Sequence, residues 1–74
     1  MESFNINHYS DGLPKQFGNI ANLDEEDTIE ELLYFDEISE SYTEEDLTKL
    51  LRNIPKGSYQ MIGSRWAQIK ITKN

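Results

Sequence analysis

Apolar and polar positions along this chain divide it into four stretches. Near the start, Phe4, Ile6 and His8 alternate with polar residues, which predicts a short β-strand. Asp11-Gly12 and Leu13-Pro14 end it by turn chemistry. From Lys15 to Asn22 the pattern is that of a loop with apolar pegs at Phe17 and Ile20. Ile29, Leu32, Leu33 and, at the edge of the pattern, Asp36 then recur at helical spacing, with Phe35 widening the apolar side. Thr28 followed by Glu31 predicts a capping box, and Asp24 is the alternative cap. Tyr34, Phe35 and Ile38 suit a helix or a strand, which leaves the end of this element open.

The next helix is better marked. Leu47, Leu50, Leu51 and Ile54 fall at i, i+3, i+4 and i+7, one face of a helix. Thr43 is placed to cap it, and Tyr42 and Leu47 occupy the two positions of a hydrophobic staple. Glu44, Glu45 and Asp46 fill the first turn, while Lys49 and Arg52 come late, as the helix dipole favours. Pro55 stops the helix and Lys56-Gly57 carries a turn. Ser58 to Thr72 reads as a hairpin around Gly63-Ser64, a pair suited to a two-residue type II′ turn. Ala67, Ile69 and Ile71 alternate with Trp66, Gln68 and Lys70, so one face is buried and the other is wet or covered in an oligomer.

The expected architecture is α+β in a single domain over residues 1–74. Residues 1–22 supply a short strand and loop, 23–54 two acidic helices, and 58–72 a C-terminal β-hairpin packed on the Leu47–Ile54 face. A 74-residue chain buries only about 60% of the surface its unfolded form exposes, so stability is marginal. The absence of cysteine excludes disulfides, thiol catalysis and four-thiolate zinc sites. No apolar run approaches the roughly 20 residues of a membrane span. Met1-Glu2-Ser3-Phe4 lacks the basic and apolar regions of a signal peptide. The expectation is a soluble, cytoplasmic protein with no membrane partner.

Charge changes this picture. The net charge is −7, which repels nucleic acid and anionic membranes and attracts basic partners. It is also segregated. Between Leu23 and Asp46 stand Asp24, Glu25, Glu26, Asp27, Glu30, Glu31, Asp36, Glu37, Glu40, Glu44, Glu45 and Asp46, with no lysine or arginine among them. From Leu47 onward the charged residues are Lys49, Arg52, Lys56, Arg65, Lys70 and Lys73, all basic.

Catalytic chemistry is sparse. His8 is the one histidine, in a short strand, with no nearby partner or pocket in the sequence, and reads as a surface or edge-strand residue. Asp24-Glu25-Glu26-Asp27 lacks the alternating ligands, central glycine and distal glutamate of an EF-hand loop. Paired carboxylates for glycoside hydrolysis need a deep cleft that this chain can hardly build. Gly12, Gly18, Gly57 and Gly63 are scattered, not a phosphate loop. The expectation is no enzyme, no cofactor and no metal.

The acidic stretch is therefore the feature that asks for a partner. A solvated surface normally mixes both signs, and crowding like charges destabilises a small domain. If helical throughout, the stretch would extend about 36 Å at roughly 1.5 Å per residue. That is about one charge every 3 Å, comparable to the roughly 3.4 Å phosphate spacing of one DNA strand. In size, lack of cysteine and helical carboxylates, this segment resembles the small acidic DNA-mimic inhibitors that bacteriophages and other mobile elements often encode. The resemblance implies a partner that is a DNA-binding host protein: a nucleoid-associated protein such as HU, a polymerase or sigma factor, a nuclease, or a defence effector. The twelve acids named above would meet its basic surface, with Tyr34, Phe35, Tyr42 or Trp66 as apolar anchors. A two-fold homodimer would double the charged track. Two rivals are an adaptor that lays the Leu47–Ile54 helix in a partner's groove and a nucleic-acid binder using the basic hairpin with Tyr59, Arg65 and Trp66.

Overall fold

In a computed structural model, which describes residues 2–10, 13–14, 19–63 and 67–74, the strand predicted at the start of the chain lies inside a sheet, not at its margin. β1 (Phe4–Ser10) pairs along its whole length with β5 (Ala67–Lys73), antiparallel, from Phe4 opposite Lys73 to Ser10 opposite Ala67. Its other side is shared by β2 (Leu13–Pro14), opposite Tyr9 and Ser10, and β3 (Ile20–Leu23), opposite Phe4 and Ile6. These two pieces act as one interrupted edge strand. β4 (Tyr59–Gly63) closes the far side of β5 and gives the order β2/β3–β1–β5–β4.

Period-two alternation decides which face is covered. Phe4 and Ile6 of β1, Ile69 and Ile71 of β5 and Ile62 of β4 are all buried on one face, with Ile6 directly opposite Ile71 and Ile62 opposite Ile69. Three helices supply the other half of the core: α1 (Glu25–Leu33), α2 (Asp36–Ser41) and α3 (Glu44–Asn53). Ile29 and Leu32, Ile38, and Leu47 and Leu51, with Ile54 just past α3, are buried against the sheet. Each such side chain contributes about 1.5–3 kcal/mol relative to exposure. The α+β architecture, with an N-terminal strand, an acidic helical middle and a C-terminal hairpin, is as the sequence predicts, but the middle holds three described helices where two were expected.

Several local expectations are corrected. Asp24, not Thr28, caps α1: the Asp27 N–H donates to Asp24 Oδ1 at 2.7 Å. Thr28 is fully buried inside the helix, its hydroxyl donating to the Asp24 carbonyl at 2.6 Å. An aspartate is at least as good a cap as threonine, and starting one turn earlier turns Thr28 toward the core. The ambiguous segment from Tyr34 to Ile38 breaks and restarts as a helix. Ile38 stands six positions after Leu32, which on one continuous helix of about 3.6 residues per turn would point it away from the sheet. Phe35 is extended (φ −86°, ψ 121°), and after this break α2 carries Ile38 into the core. Asp36, placed at the edge of the apolar stripe by its spacing, is exposed in the first turn of α2.

The loop expected from Lys15 to Asn22 contains the start of β3. Alternation misses it because two asparagine side chains support an irregular strand. The His8 N–H donates to Asn19 Oδ1 and the Asn22 N–H to Asn5 Oδ1, both at 3.1 Å. Asn22 itself is left-handed (φ 60°), which asparagine tolerates better than most residues. The expected turn at Asp11-Gly12 and the peg at Phe17 lie outside the described residues, while Leu13-Pro14, expected to belong to the turn, forms β2 beside β1.

The β4–β5 hairpin exists, but not with a two-residue turn. A Gly63-Ser64 turn would set Ile62 opposite Arg65, whereas Ile62 faces Ile69 and Gly63 faces Gln68. Core packing fixes this register, since a slip would move the isoleucines apart. Gly63 has φ +113°, and a Cβ there would overlap the Ala67 carbonyl oxygen. Ser64, Arg65 and Trp66 lie outside the described residues. His8 is on an interior strand, with its ring centroid 4.2 Å from that of Phe35, and is not an edge residue.

The helix with the clearest pattern behaves as its sequence says. Thr43 and Asp46 form a reciprocal capping box, with bonds of 3.0 and 3.1 Å. Gly57 (φ +84°) takes the turn after Pro55. Lys73, the last residue of β5, points inward and is 6% exposed. Its Nζ donates to the Leu51 carbonyl near the end of α3 at 3.3 Å and lies 3.5 Å from Glu2. A cation at that end complements the helix dipole. Because Leu47, Leu51 and Ile54 are core residues, the Leu47–Ile54 face is not available to lie in a partner's groove while the domain is folded.

Candidate functional site: the acidic helical layer

The helices cover one face of the sheet, so their outward sides form a surface of their own. The acids reach it for two different reasons. Glu25, Glu26 and Asp27 stand in the first turn of α1, Asp36 and Glu37 in that of α2, and Glu44, Glu45 and Asp46 in that of α3. Asp24 is the cap of α1. Near the positive end of a helix dipole a carboxylate stabilises by about 0.3–1 kcal/mol. These acids have a local structural role whether or not anything binds.

Asp46 shows that role most clearly. The Thr43 backbone N–H, then the Thr43 hydroxyl and the nearby Lys49 charge, hold its carboxyl below the ordinary aspartate value. Each of these contacts favours the ionised form.

Glu30, Glu31 and Glu40 differ. Glu30 and Glu31 lie in the last turn of α1 and Glu40 in that of α2, and neither last turn holds a basic residue. There the dipole is negative and a carboxylate is unfavourable. Glu26 and Glu30 also form a like-charge i, i+4 pair, which destabilises by about 0.2–0.5 kcal/mol.

Among the described residues, cations relieve little of this. Arg52 Nε meets Glu25 Oε1 at 3.0 Å, tying the end of α3 to the start of α1. Lys49 lies 3.5 Å from Glu45 on its own helix. Among the described residues, no ion pair reaches Glu26, Asp27, Glu30, Glu31, Asp36, Glu40 or Glu44. Most of these are exposed, with Glu31 half-buried. Tyr34, 78% exposed, stands where α1 ends, between Glu31 and Asp36 in the chain. Of the other expected anchors, Phe35 and Tyr42 pack partly into the core, and Trp66 is outside the described residues.

The geometry departs from a DNA-like rod. Three short helices spread the acids over a layer of a domain measuring 32 × 23 × 17 Å, and no single 36 Å line of charge forms. What the layer does contain is grooves. One, of about 220 Å³, runs between α1 and α3, with Glu26, Glu30 and Glu44 beside Ile29 and Leu33. A second, of about 270 Å³, is bordered by Glu37, Glu40, Ser41, Tyr42 and Gly63. Residue-by-residue reading of charge did not find the first groove. The signal was present, because Glu26, Ile29, Glu30 and Leu33 fall at i, i+3, i+4 and i+7, a stripe that mixes acid with apolar. Among the described residues, no group of three or more acids or histidines is arranged to hold a metal ion.

The face of the sheet opposite the helices contrasts with this layer. Alternation and register put Asn5, Asn7 and Tyr9, Gln68, Lys70 and Thr72, and Tyr59 and Met61 on it, with no carboxylate among the described residues. Lys70 is its one described cation, 4.5 Å above the Tyr59 ring. No helix among the described residues is long and apolar enough to cross a membrane. The chain matches no protein-family model, and no curated protein or solved structure is significantly similar to it.

Proposed function

We propose that the acidic helical layer binds the basic surface of a DNA-binding protein and excludes nucleic acid from it. The protein would thus be a non-enzymatic DNA-mimic inhibitor, working in the cytoplasm where such partners are found. The observation that carries this reading is the placement of Glu30, Glu31 and Glu40 in last helical turns that hold no cation. Local helix electrostatics favours removing them, and a small domain has little stability to spare. A partner's lysines and arginines would supply the counter-charge that these turns do not hold. Such pairing also steers association, making it fast and sensitive to salt. Tyr34, exposed among these acids, fits the aromatic anchor that interfaces favour.

Competition provides the test. The immobilised protein would be used to capture DNA-binding proteins from a bacterial lysate, and duplex DNA would then be titrated against each complex. Displacement by DNA, with affinity falling steeply as salt rises, is the expected result. A partner that holds DNA and this protein together without mutual loss of affinity would show that mimicry is wrong.

A further inference from the structure

We infer that the groove between α1 and α3 is the seat of a single arginine side chain presented by the partner, an inference that rests on the acidic layer being the binding surface. α1 and α3 run antiparallel here. Glu25 at the start of α1 pairs with Arg52 at the end of α3, while Glu30 and Leu33 at the end of α1 border the same groove as Glu44 at the start of α3. The groove brings together two kinds of surface that a purely electrostatic patch would not need to combine. Ile29 and Leu33 give it apolar walls, and Glu26, Glu30 and Glu44 bring carboxylates from both helices.

That combination matches an amphipathic cation. The methylene stem of an arginine would cover Ile29 and Leu33 while its head stays among the carboxylates. A guanidinium has five donors in a planar fork and can serve carboxylates from two helices at once, whereas an ammonium is a compact, strongly hydrated point charge. Both cations of α3 are engaged elsewhere, Lys49 with Glu45 and Arg52 with Glu25. Nor are the carboxylates arranged as metal ligands. Charge complementarity and the apolar walls therefore point to an arginine and away from a metal ion or a nucleic acid.

The probe is an alanine-based helical peptide with arginines at i and i+4, titrated into the full chain at low salt and followed by NMR of methyl and amide groups. The Ile29 and Leu33 methyl signals should shift and show contacts to arginine side-chain methylenes. A citrulline peptide, nearly isosteric but uncharged, should give neither. The variant Glu30→Gln/Glu44→Gln, changed at exposed positions, should bind the arginine peptide about fivefold more weakly. Amide shifts spread over all three helices, with the Ile29 and Leu33 methyls unmoved, would overturn the groove while leaving the acidic surface intact as a binding face. An equal methyl response to a lysine peptide would overturn the choice of arginine. No response anywhere at low salt would overturn both the groove and the reading it rests on.

Discussion

The two ends of the helices carry the same residue type with opposite physical consequences. At the starts, acids complement the dipole, and two of them, Asp24 and Asp46, also bond to backbone N–H groups. At the ends of α1 and α2, Glu30, Glu31 and Glu40 oppose the dipole with no basic residue in the turn. Of the three described helices, α3 alone ends conventionally, with Arg52 in its last turn and Lys73 donating to its Leu51 carbonyl. The lesson is that acidity alone is a poor guide to function. Acids at a helix start have a local role whether or not anything binds, and those at the ends of α1 and α2 have no basic residue in their turn.

Charge reversal separates the two groups most strongly. Glu30→Lys, Glu31→Lys and Glu40→Lys together should lower partner affinity by about 100-fold or more, since close interfacial charge pairs are worth about 1.5 kcal/mol upward. Thermal unfolding of the same variant should occur at higher temperature, because cations now stand at negative helix ends. At the helix starts the ranking is reversed. Thr43→Ala and Asp24→Ala should each destabilise by about 1 kcal/mol in denaturant unfolding, by loss of a cap, and leave partner affinity nearly unchanged.

How far this contrast could be read from the sequence depends on what each element relies on. α3 was legible because its cap, its apolar stripe and Pro55 are all local signals. β1 and β5 were legible from alternation, though not their pairing, which joins the two ends of the chain. The break at Phe35 was not legible, because only the position of the sheet makes burying Ile38 worthwhile. β3 was missed because asparagine side chains replace the usual alternation. The twelve acids were found as a group, and their division into helix starts and helix ends had to wait for the boundaries of α1 and α2. The groove between α1 and α3 required the antiparallel packing that no local pattern reports.

A smaller effect tests the helix starts by pH. The Asp46 carboxyl is held below its ordinary value in the folded state, so it releases its proton more readily there than in the unfolded chain. Its contribution to stability is present above the unfolded-state value and is lost as pH falls through the folded-state one. Removing the carboxylate with Asp46→Ala should therefore lower stability at neutral pH and flatten its decline in the acid range. An NMR titration of wild-type Asp46 should place its midpoint below that of an unstructured aspartate. An unshifted midpoint would mean that the capping box is not formed in solution.

The central claim is that Glu30, Glu31 and Glu40 are retained for a partner at the expense of the fold. Its most direct test is to measure, on one variant carrying Glu30→Gln, Glu31→Gln and Glu40→Gln, both unfolding free energy and affinity for a captured DNA-binding partner. The account predicts that stability rises, by about 0.3–1 kcal/mol for each carboxylate removed from a negative helix end, while affinity falls. Unchanged affinity, or a loss of stability, would contradict it.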